Sequence, residues 1–366
     1  MKFSLSRESL LNPLQMVAGV VERRQTLPIL SNILLRLEGT QLSMTGTDLE
    51  VEIKGSTEVV SGSEAGEATV SARKILDICR SLPEGAQLDF ESSEGKAHIT
   101  SGRSKFTLAT LPANEFPSVD ESEKNVDFVV SGSLVKSLIE ATSFAMAQQD
   151  VRYYLNGMLW EVSNNQLRAV ATDGHRLAMC DNKCDVICDD KVSAILPRKG
   201  IMELSRLLAD TDVRISIGSN HIRVTGEDYC FTSKLVDGAY PDYDRVVPKG
   251  GDKKVIGDRD QLKQAFGRTA ILSNEKYRGV RLQLSSGAIH MAANNPEQEE
   301  AQEEVTVVYG GESLEIGFNV SYLLDVLNVL KSSEAQFTLS DSNSSALIEE
   351  ASNNSRAVYV VMPMRL

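Results

Sequence analysis

One pattern of helix, hairpin, helix and strand recurs three times along the chain, and any fold must accommodate it three times over. The hairpins are the clearest part. Segments 33–37 and 41–48 alternate apolar and polar residues on either side of a short loop. Segments 157–162 and 166–173 do the same, and so do 279–284 and 288–294. Such alternation around a Gly- or Asn-containing loop is a hairpin signal. A helix is predicted before each hairpin, at 7–20, 133–147 and 258–272, from apolar residues three and four apart such as Leu134, Leu138 and Ile139, or Leu262, Ala265 and Phe266. A second helix is predicted after each, at 72–82, 198–209 and 320–331, the last starting behind Asn319, a good N-cap residue. Strands at 105–112, 230–235 and 358–363 close the thirds.

The spacings agree with a repeat. Thr47-Asp48 returns 125 residues later as Thr172-Asp173, Phe116-Pro117 returns after 124 as Tyr240-Pro241, and the 366 residues hold three periods of about 122. The expected fold is α+β: three similar domains, 1–124, 125–251 and 252–366, each with two helices packed on antiparallel sheets.

Charge adds a second constraint. The chain carries a formal net charge of −13, which argues against indiscriminate binding to phosphate. The six predicted helices nevertheless sum to +5, leaving −18 for everything else. Helices gathered on one concave surface would draw duplex DNA to that face and repel it elsewhere. Basic residues scattered over exposed helices for solubility would give the same count. Arg80, Arg198 and Lys199 are DNA-contact candidates on this ground. Two arginines, Arg23 and Arg24, fall in a turn after the first helix, and Gln149, Arg152, Tyr153 and Tyr154 follow the third. Arg and Tyr can contact phosphate or stack on an unpaired base, although adjacent tyrosines also read as one core and one surface residue.

The ends of the chain are complementary. Residues 297–304 hold five carboxylates, among them Glu297, Glu299, Glu300 and Glu303. The first third offers Lys74, Arg103 and Lys105. Such ends suit head-to-tail pairing of two copies, which forms closed rings when the rotation closes.

Other classes find less support. Five cysteines in a chain of this length do not make a disulfide framework, and an early charge after Met1 argues against a signal peptide, so a soluble protein of the cytoplasm is expected. Cys180, Cys184 and Cys188 lack paired zinc spacing, and no metal or cofactor is expected. There is no P-loop, no G-x-G-x-x-G and no nucleophile elbow. His175 therefore reads as a structural or peptide-contacting residue rather than a base. Asp48 and Asp173 occupy equivalent repeat positions and read as turn builders, not an acid–base pair. The competing function is a metal-dependent nucleic-acid-processing enzyme using Glu299 and Glu300. A protein-interaction scaffold that ignores DNA is a third reading.

Six stretches carry a closer likeness: 26–30 (TLPIL), 45–50 (TGTDLE), 149–157 (QDVRYYLNG), 171–177 (ATDGHRL), 271–276 (ILSNEK) and 361–366 (VMPMRL). Together they resemble the bacterial sliding clamp family, the beta subunits of DNA polymerase III, from end to end. The resemblance implies a non-enzymatic head-to-tail homodimer, a ring of six pseudo-equivalent domains whose helices line a hole for duplex DNA of any sequence. It implies DNA contacts at Arg24, Arg73, Gln149, Tyr153 and Tyr154, and dimer contacts by Phe106 and Leu108 of one chain with Ile271 and Leu272 of the other. It also implies a partner groove formed by Leu155, Thr172, Gly174, His175, Arg176, Leu177, Pro241, Arg245, Val246, Asn319, Tyr322, Ser345, Val360, Val361, Met362, Pro363, Met364, Arg365 and Leu366. Its ligands would be short hydrophobic motifs of the replicative polymerase alpha subunit, the clamp loader delta subunit, translesion polymerases and mismatch-repair proteins, and its methionines suit several ligands. Two features depart from the family: Asn343 stands where an apolar groove residue is expected, and 181–190 is expected to form a variable outer loop.

Overall fold

The structure is a computed structural model that describes the chain apart from residues 23–26, 60–63, 118, 120–123, 189, 353–355 and 366. The first third contains β1 (Lys2–Ser6), α1 (Arg7–Ala18), β2 (Asn32–Glu38), β3 (Gln41–Thr47), β4 (Val51–Glu58), β5 (Gly66–Ser71), α2 (Ala72–Ser81), β6 (Gln87–Ser93), β7 (Lys96–Ser101) and β8 (Ser104–Ala109). The second contains β9 (Lys124–Ser131), α3 (Gly132–Thr142), β10 (Gly157–Ser163), β11 (Gln166–Thr172), β12 (Arg176–Lys183), β13 (Val192–Pro197), α4 (Arg198–Leu207), β14 (Asp212–Gly218), β15 (His221–Thr225) and β16 (Tyr229–Lys234). The third contains β17 (Lys253–Asp258), α5 (Arg259–Ile271), β18 (Gly279–Ser285), β19 (Ala288–Asn294), β20 (Glu300–Thr306), β21 (Leu314–Asn319), α6 (Val320–Val329), β22 (Glu334–Leu339), β23 (Ala346–Glu350) and β24 (Ala357–Val361). The repeat read from the sequence is thus a repeat of structure, and the fold is α+β with antiparallel sheets.

Each third supplies two half-sheets. Strand order β1-β6-β7-β8 recurs as β9-β14-β15-β16 and β17-β22-β23-β24, while β5-β2-β3-β4 recurs as β13-β10-β11-β12 and β21-β18-β19-β20. Two joints fuse these halves into eight-stranded sheets: β16 pairs with β4, and β24 pairs with β12. The strands β8 and β20, which hold the same places in the pattern, end their own four-stranded sheets.

Register repeats too. Phe3 faces Phe90, Phe90 faces Ile99 and Ile99 faces Phe106. In the second third the same ladder runs Phe128, Ile215, Val224, Phe231, and continues across the joint to Ile53. In the third it runs Val255, Phe337, Ile348, Tyr359, and continues to Ala178. A slip of one residue would turn each apolar row outward, so these rows fix the pairing.

Compaction follows the sheets. One unit is Met1–Val135 with Lys199–Leu235, and the other is Lys136–Arg198 with Val236–Leu366. The central third is divided between them because β9 and β14–β16 join the sheet of β2–β5, whereas β10–β13 join β17 and β22–β24. In the first unit α1 buries Leu10, Leu14 and Val17 and α2 buries Ile75, Leu76 and Cys79. In the second, α5 buries Leu262, Ala265 and Phe266, and α6 buries Leu323, Val326 and Leu327. Each such Leu, Ile, Val or Phe side chain is worth about 1.5–3 kcal/mol against exposure. Caps set the helix starts: Ser6, Asp258 and Asn319 each accept a backbone N–H of the first turn.

Two expectations change. The helix expected over 133–147 ends at Thr142, whose hydroxyl donates back to the Leu138 carbonyl, and a 3-10 turn, Ser143–Ala145, follows. The loop expected over 181–190 begins later, because β12 continues through Lys183; Cys184 and Val186 beyond it are buried, and their backbone is tied to Asn165.

Candidate functional site

The second unit carries an apolar surface beside the β12·β24 joint. Leu177 of β12 lies opposite Val360 of β24, and both join Leu159, Val170, Ile195 and Tyr243 in one buried cluster. Tyr154, Met179, Val236, Tyr240, Val247 and Leu347 pack against it partly exposed. Leu155 is fully buried nearby in sequence, and Val361 is buried in the same strand as Val360. Around this floor Met362 is 44% exposed and Val246 41%, and His175, Pro241 and Arg245 are also exposed. The chain end is held by Met362 N–H donating to the His175 carbonyl (2.9 Å) and Met364 N–H to the Gly317 carbonyl (2.9 Å). Pro363 is half-buried and Arg365 exposed, while Leu366 lies outside the described residues.

A tight turn presents His175. Asp173 Oδ1 accepts from the N–H groups of His175 (2.9 Å) and Arg176 (3.0 Å), and the Thr172 hydroxyl accepts from Gly174 N–H (3.1 Å) and donates to the Arg176 carbonyl (2.6 Å). Gly174 has φ +88°, a left-handed conformation that glycine adopts without strain. The equivalent turn in the first third has the same bonds: Asp48 accepts from Glu50 and Val51, and Thr47 accepts from Leu49. Both aspartates are turn builders, as the repeat implied.

Arg176 is less available than a groove contact needs to be. It pairs with Asp173 and with Asp325 of α6, donates to the Phe144 carbonyl (2.8 Å), and lies over the rings of Tyr322 (4.5 Å) and Phe144 (5.3 Å). It is a strut beneath the surface. His175 stacks on Tyr322, ring centroids 6.5 Å apart. Asn319 caps α6: its side-chain oxygen accepts from Ser321 N–H (2.9 Å). Ser345 is half-buried, and Asn343 is exposed in a turn where Asp341 accepts its N–H (2.8 Å).

Sequence reasoning placed Pro241, Arg245 and Val246 in the site but missed the residues that strap their segment over the floor, Val236, Tyr240 and Tyr243. Val236 N–H donates to Ile195, the Tyr240 hydroxyl accepts from Thr172 N–H (3.1 Å), and Tyr243 is buried. The repeat of Phe116-Pro117 as Tyr240-Pro241 marked this segment: in the first unit Phe116 covers Ile29 and Leu30 in the same manner.

The expected dimer residues lie on or near β8 and β20 and at the end of α5, apart from Lys74 on α2. Phe106 on β8 is only half-buried, although its counterparts Phe231 and Tyr359 are fully buried. Leu108 is buried. Ile271, at the end of α5, is 74% exposed, and Leu272 is half-buried. Lys74, Arg103 and Lys105 are exposed, as are Glu297, Glu299 and Glu300. Glu303 is different: Arg268 of α5 holds it bidentately (2.5 and 2.8 Å) and keeps its carboxyl below the usual range, so its charge is already spent.

The DNA candidates divide. Arg73 is exposed, with a loose pair to Asp77 (3.6 Å), and Arg80 is exposed. Gln149 is exposed at φ +57°, Tyr153 is 57% exposed, and Tyr154 meets it edge-on while packing on the core cluster. The tyrosines are therefore one surface and one partly buried residue. Arg152 is engaged by Asp150, whose carboxyl it holds down to about 2. Arg198 is half-buried and reaches the Met146 carbonyl (3.5 Å). Lys199 departs from expectation: only 28% of its side chain is exposed, and it bridges Asp48 and Glu22 (2.6 Å), so it joins elements of the first unit rather than offering a free cation. Arg24 lies outside the described residues.

Cys180 and Cys184 are buried and Cys188 half-buried, and among the described residues no three His, Cys, Asp or Glu side chains gather as a metal site. Burial pushes the Cys180 thiol up to about 11.

Family models for DNA polymerase III beta subunit match along the chain: the N-terminal domain at residues 1–120, the central domain at 129–242 and the C-terminal domain at 244–365. The chain is 61% identical to a beta sliding clamp of Pseudomonas aeruginosa and 54% identical to one of Escherichia coli, each match covering all of both chains. A solved structure of a sliding clamp, DNA polymerase III subunit beta, from Pseudomonas aeruginosa bound to griselimycin superposes with a TM-score of 0.97 at 61% identity over both full chains.

Proposed function

Since the chain belongs to the bacterial DNA polymerase III beta subunit family and is a DNA polymerase processivity clamp, we propose that it works as a head-to-tail homodimer closed around duplex DNA, catalysing nothing itself. The observation that carries the dimer is the pair of free strands. Within the chain, β16 docks on β4 and β24 docks on β12. The strands β8 and β20 are the remaining members of those two classes, so β8 of one copy is matched to β20 of another. The same register puts Phe106 opposite Ala301 of the second copy, as Phe231 is opposite Ile53 and Tyr359 opposite Ala178. An isologous contact would pair β8 with β8 and leave the acidic strand alone. The heterologous one brings the exposed cations Lys74, Arg103 and Lys105 of one copy toward the exposed carboxylates Glu297, Glu299 and Glu300 of the other, and two copies close the ring.

The three domains, 1–124, 125–251 and 252–366, would each bring two helices to the DNA. Arg73, Arg80 and Arg24 supply phosphate contacts, with Gln149 and Tyr153 at an exposed turn; Lys199 and Arg198 contribute through the fold. Phosphate contacts of this kind hold DNA of any sequence and weaken as salt rises. The surface of Leu177, Val360, Val246 and Met362 takes a short apolar peptide from the replicative polymerase alpha subunit, the clamp loader delta subunit, translesion polymerases or mismatch-repair proteins. Its apolar floor and the griselimycin complex of the relative support this reading. The protein acts in the cytoplasm, at the nucleoid. The metal-dependent enzyme reading has no support in the family matches.

Topology tests the ring. The protein is loaded onto nicked circular plasmid with its clamp loader and ATP, isolated, and the DNA is cut once. Retention on circles with release from linear DNA is expected. Equal retention on both forms would mean that contact, not encirclement, holds it.

A further inference from the structure

A ladder of charged and polar groups crosses the strands below the partner surface. Glu161 of β10 lies opposite Arg168 of β11, and Arg168 lies opposite Asp181 of β12. Arg168 grips Asp181 with two hydrogen bonds (2.6 and 2.9 Å) and gives a third, 3.0 Å long, to the Tyr243 hydroxyl. That hydroxyl donates in turn to Glu161, whose other oxygen meets Lys191 (2.5 Å). Glu161 and Tyr243 are both buried. Four of the five groups belong to the sheet or its edge, and only Tyr243 belongs to the strap. Its hydroxyl uses both hydrogen-bonding roles, donor and acceptor, on charged partners. Its carbonyl accepts from the N–H groups of Val246 (2.9 Å) and Val247 (3.3 Å). One residue therefore connects the ladder to the turn that exposes Val246.

We propose that Tyr243, held by Glu161 and Arg168, is a positioning residue that fixes Val246 at the rim of the peptide groove before any peptide arrives. The inference rests on the groove reading above. A rim set in advance spares the ligand the cost of ordering it, so loss of the latch weakens binding although no latch atom touches the peptide.

The test is calorimetric titration of the full-length protein with griselimycin. Tyr243→Phe keeps the ring in the core and removes only the hydroxyl; about a tenfold rise in Kd is expected. Arg168→Gln, which leaves the ring untouched, should act in the same direction and decides the matter if Tyr243→Phe fails to fold. In a Val246→Ala background, Tyr243→Phe should change Kd less than about twofold, because its effect runs through Val246. Additive effects, or a lowered Tm with unchanged Kd in both variants, would overturn the latch. Met362→Ala separates the two readings. If it weakens griselimycin and the latch variants do not, the latch alone is wrong; if neither it nor they have any effect, the groove assignment fails as well.

Discussion

The ring of Phe144 rests on the ring of Tyr359, centroids 5.9 Å apart and planes inclined by 37°. Both belong to the second unit, and they seal the place where β24 meets β12. Phe144 lies two residues beyond Thr142, and Ile271 lies two residues beyond Thr269; both threonines donate back to the carbonyl four residues earlier. Tyr359 is likewise the counterpart of Phe106. In the proposed dimer this internal joint serves as the template for Ile271 packing on Phe106 of a second copy. Replacing both Ile271 and Leu272 by Ala should weaken the dimer by about 100-fold or more and give folded monomer. Sedimentation at sub-micromolar concentration checks this; a variant that stays dimeric there would refute the template.

Met362 contributes exposed apolar surface while its N–H secures the chain end to His175. Met362→Ala keeps the backbone bond and should reduce affinity for the replicative polymerase by about tenfold. Surface plasmon resonance with the immobilised clamp measures it. Deleting 361–366 abolishes partner binding on the same reading, but it also removes buried Val361, which is paired to both Arg176 and Ala346, so the deletion must be compared with its own thermal unfolding.

Lys199 and Arg73 separate structure from DNA binding. Lys199→Met leaves the carboxylates of Asp48 and Glu22 without their cation and should cost roughly 1–3 kcal/mol of stability. The DNA affinity of the folded variant should be nearly unchanged. Arg73→Glu with Arg80→Glu should do the opposite, lowering DNA affinity in low salt at constant Tm. Fluorescence anisotropy with a labelled duplex, beside urea unfolding, distinguishes them; parallel losses in both assays for Lys199→Met would restore it as a DNA contact.

Burial pushes the thiols of Cys79 and Cys180 up to about 11 from an ordinary value of 9.0. A thiol whose folded value is raised stabilises the fold fully below pH 9, and that contribution is lost as pH rises toward 11, because the unfolded chain ionises first. Urea midpoints should therefore fall between pH 9 and 11, and substituting Cys180 by Ala should flatten its share of the slope. At pH 8, thiol titration should label the less buried Cys188 and Cys230 first, with Cys79 and Cys180 reacting only on unfolding.

The repeat made the helices and hairpins legible, because apolar spacing of two or three to four is a local property of the sequence. Asp48 and Asp173 could be assigned to turns for the same reason. The pairings of Lys199 and Arg176 were not legible: whether a cation is free depends on which carboxylates other strands and helices bring to it, and Asp325 is 149 residues from Arg176. Tyr243 of the strap was not singled out either, since its hydrogen bonds go to Glu161 and Arg168 on distant strands. Glu303 looked like one more acid in an acidic run until α5 supplied Arg268.

The two joints also govern the order in which the protein can be made. On the ribosome β12 is complete once residue 183 has emerged, but its neighbour β24 begins only at Ala357. Until then a buried-to-be edge of the central third stays open, and β4 waits in the same way for β16. Long-range pairings of this kind slow folding and leave strand edges exposed during synthesis. Nascent chains stalled before β24 should therefore be the ones that chaperones hold, because only β24 completes the sheet that carries the proposed peptide surface.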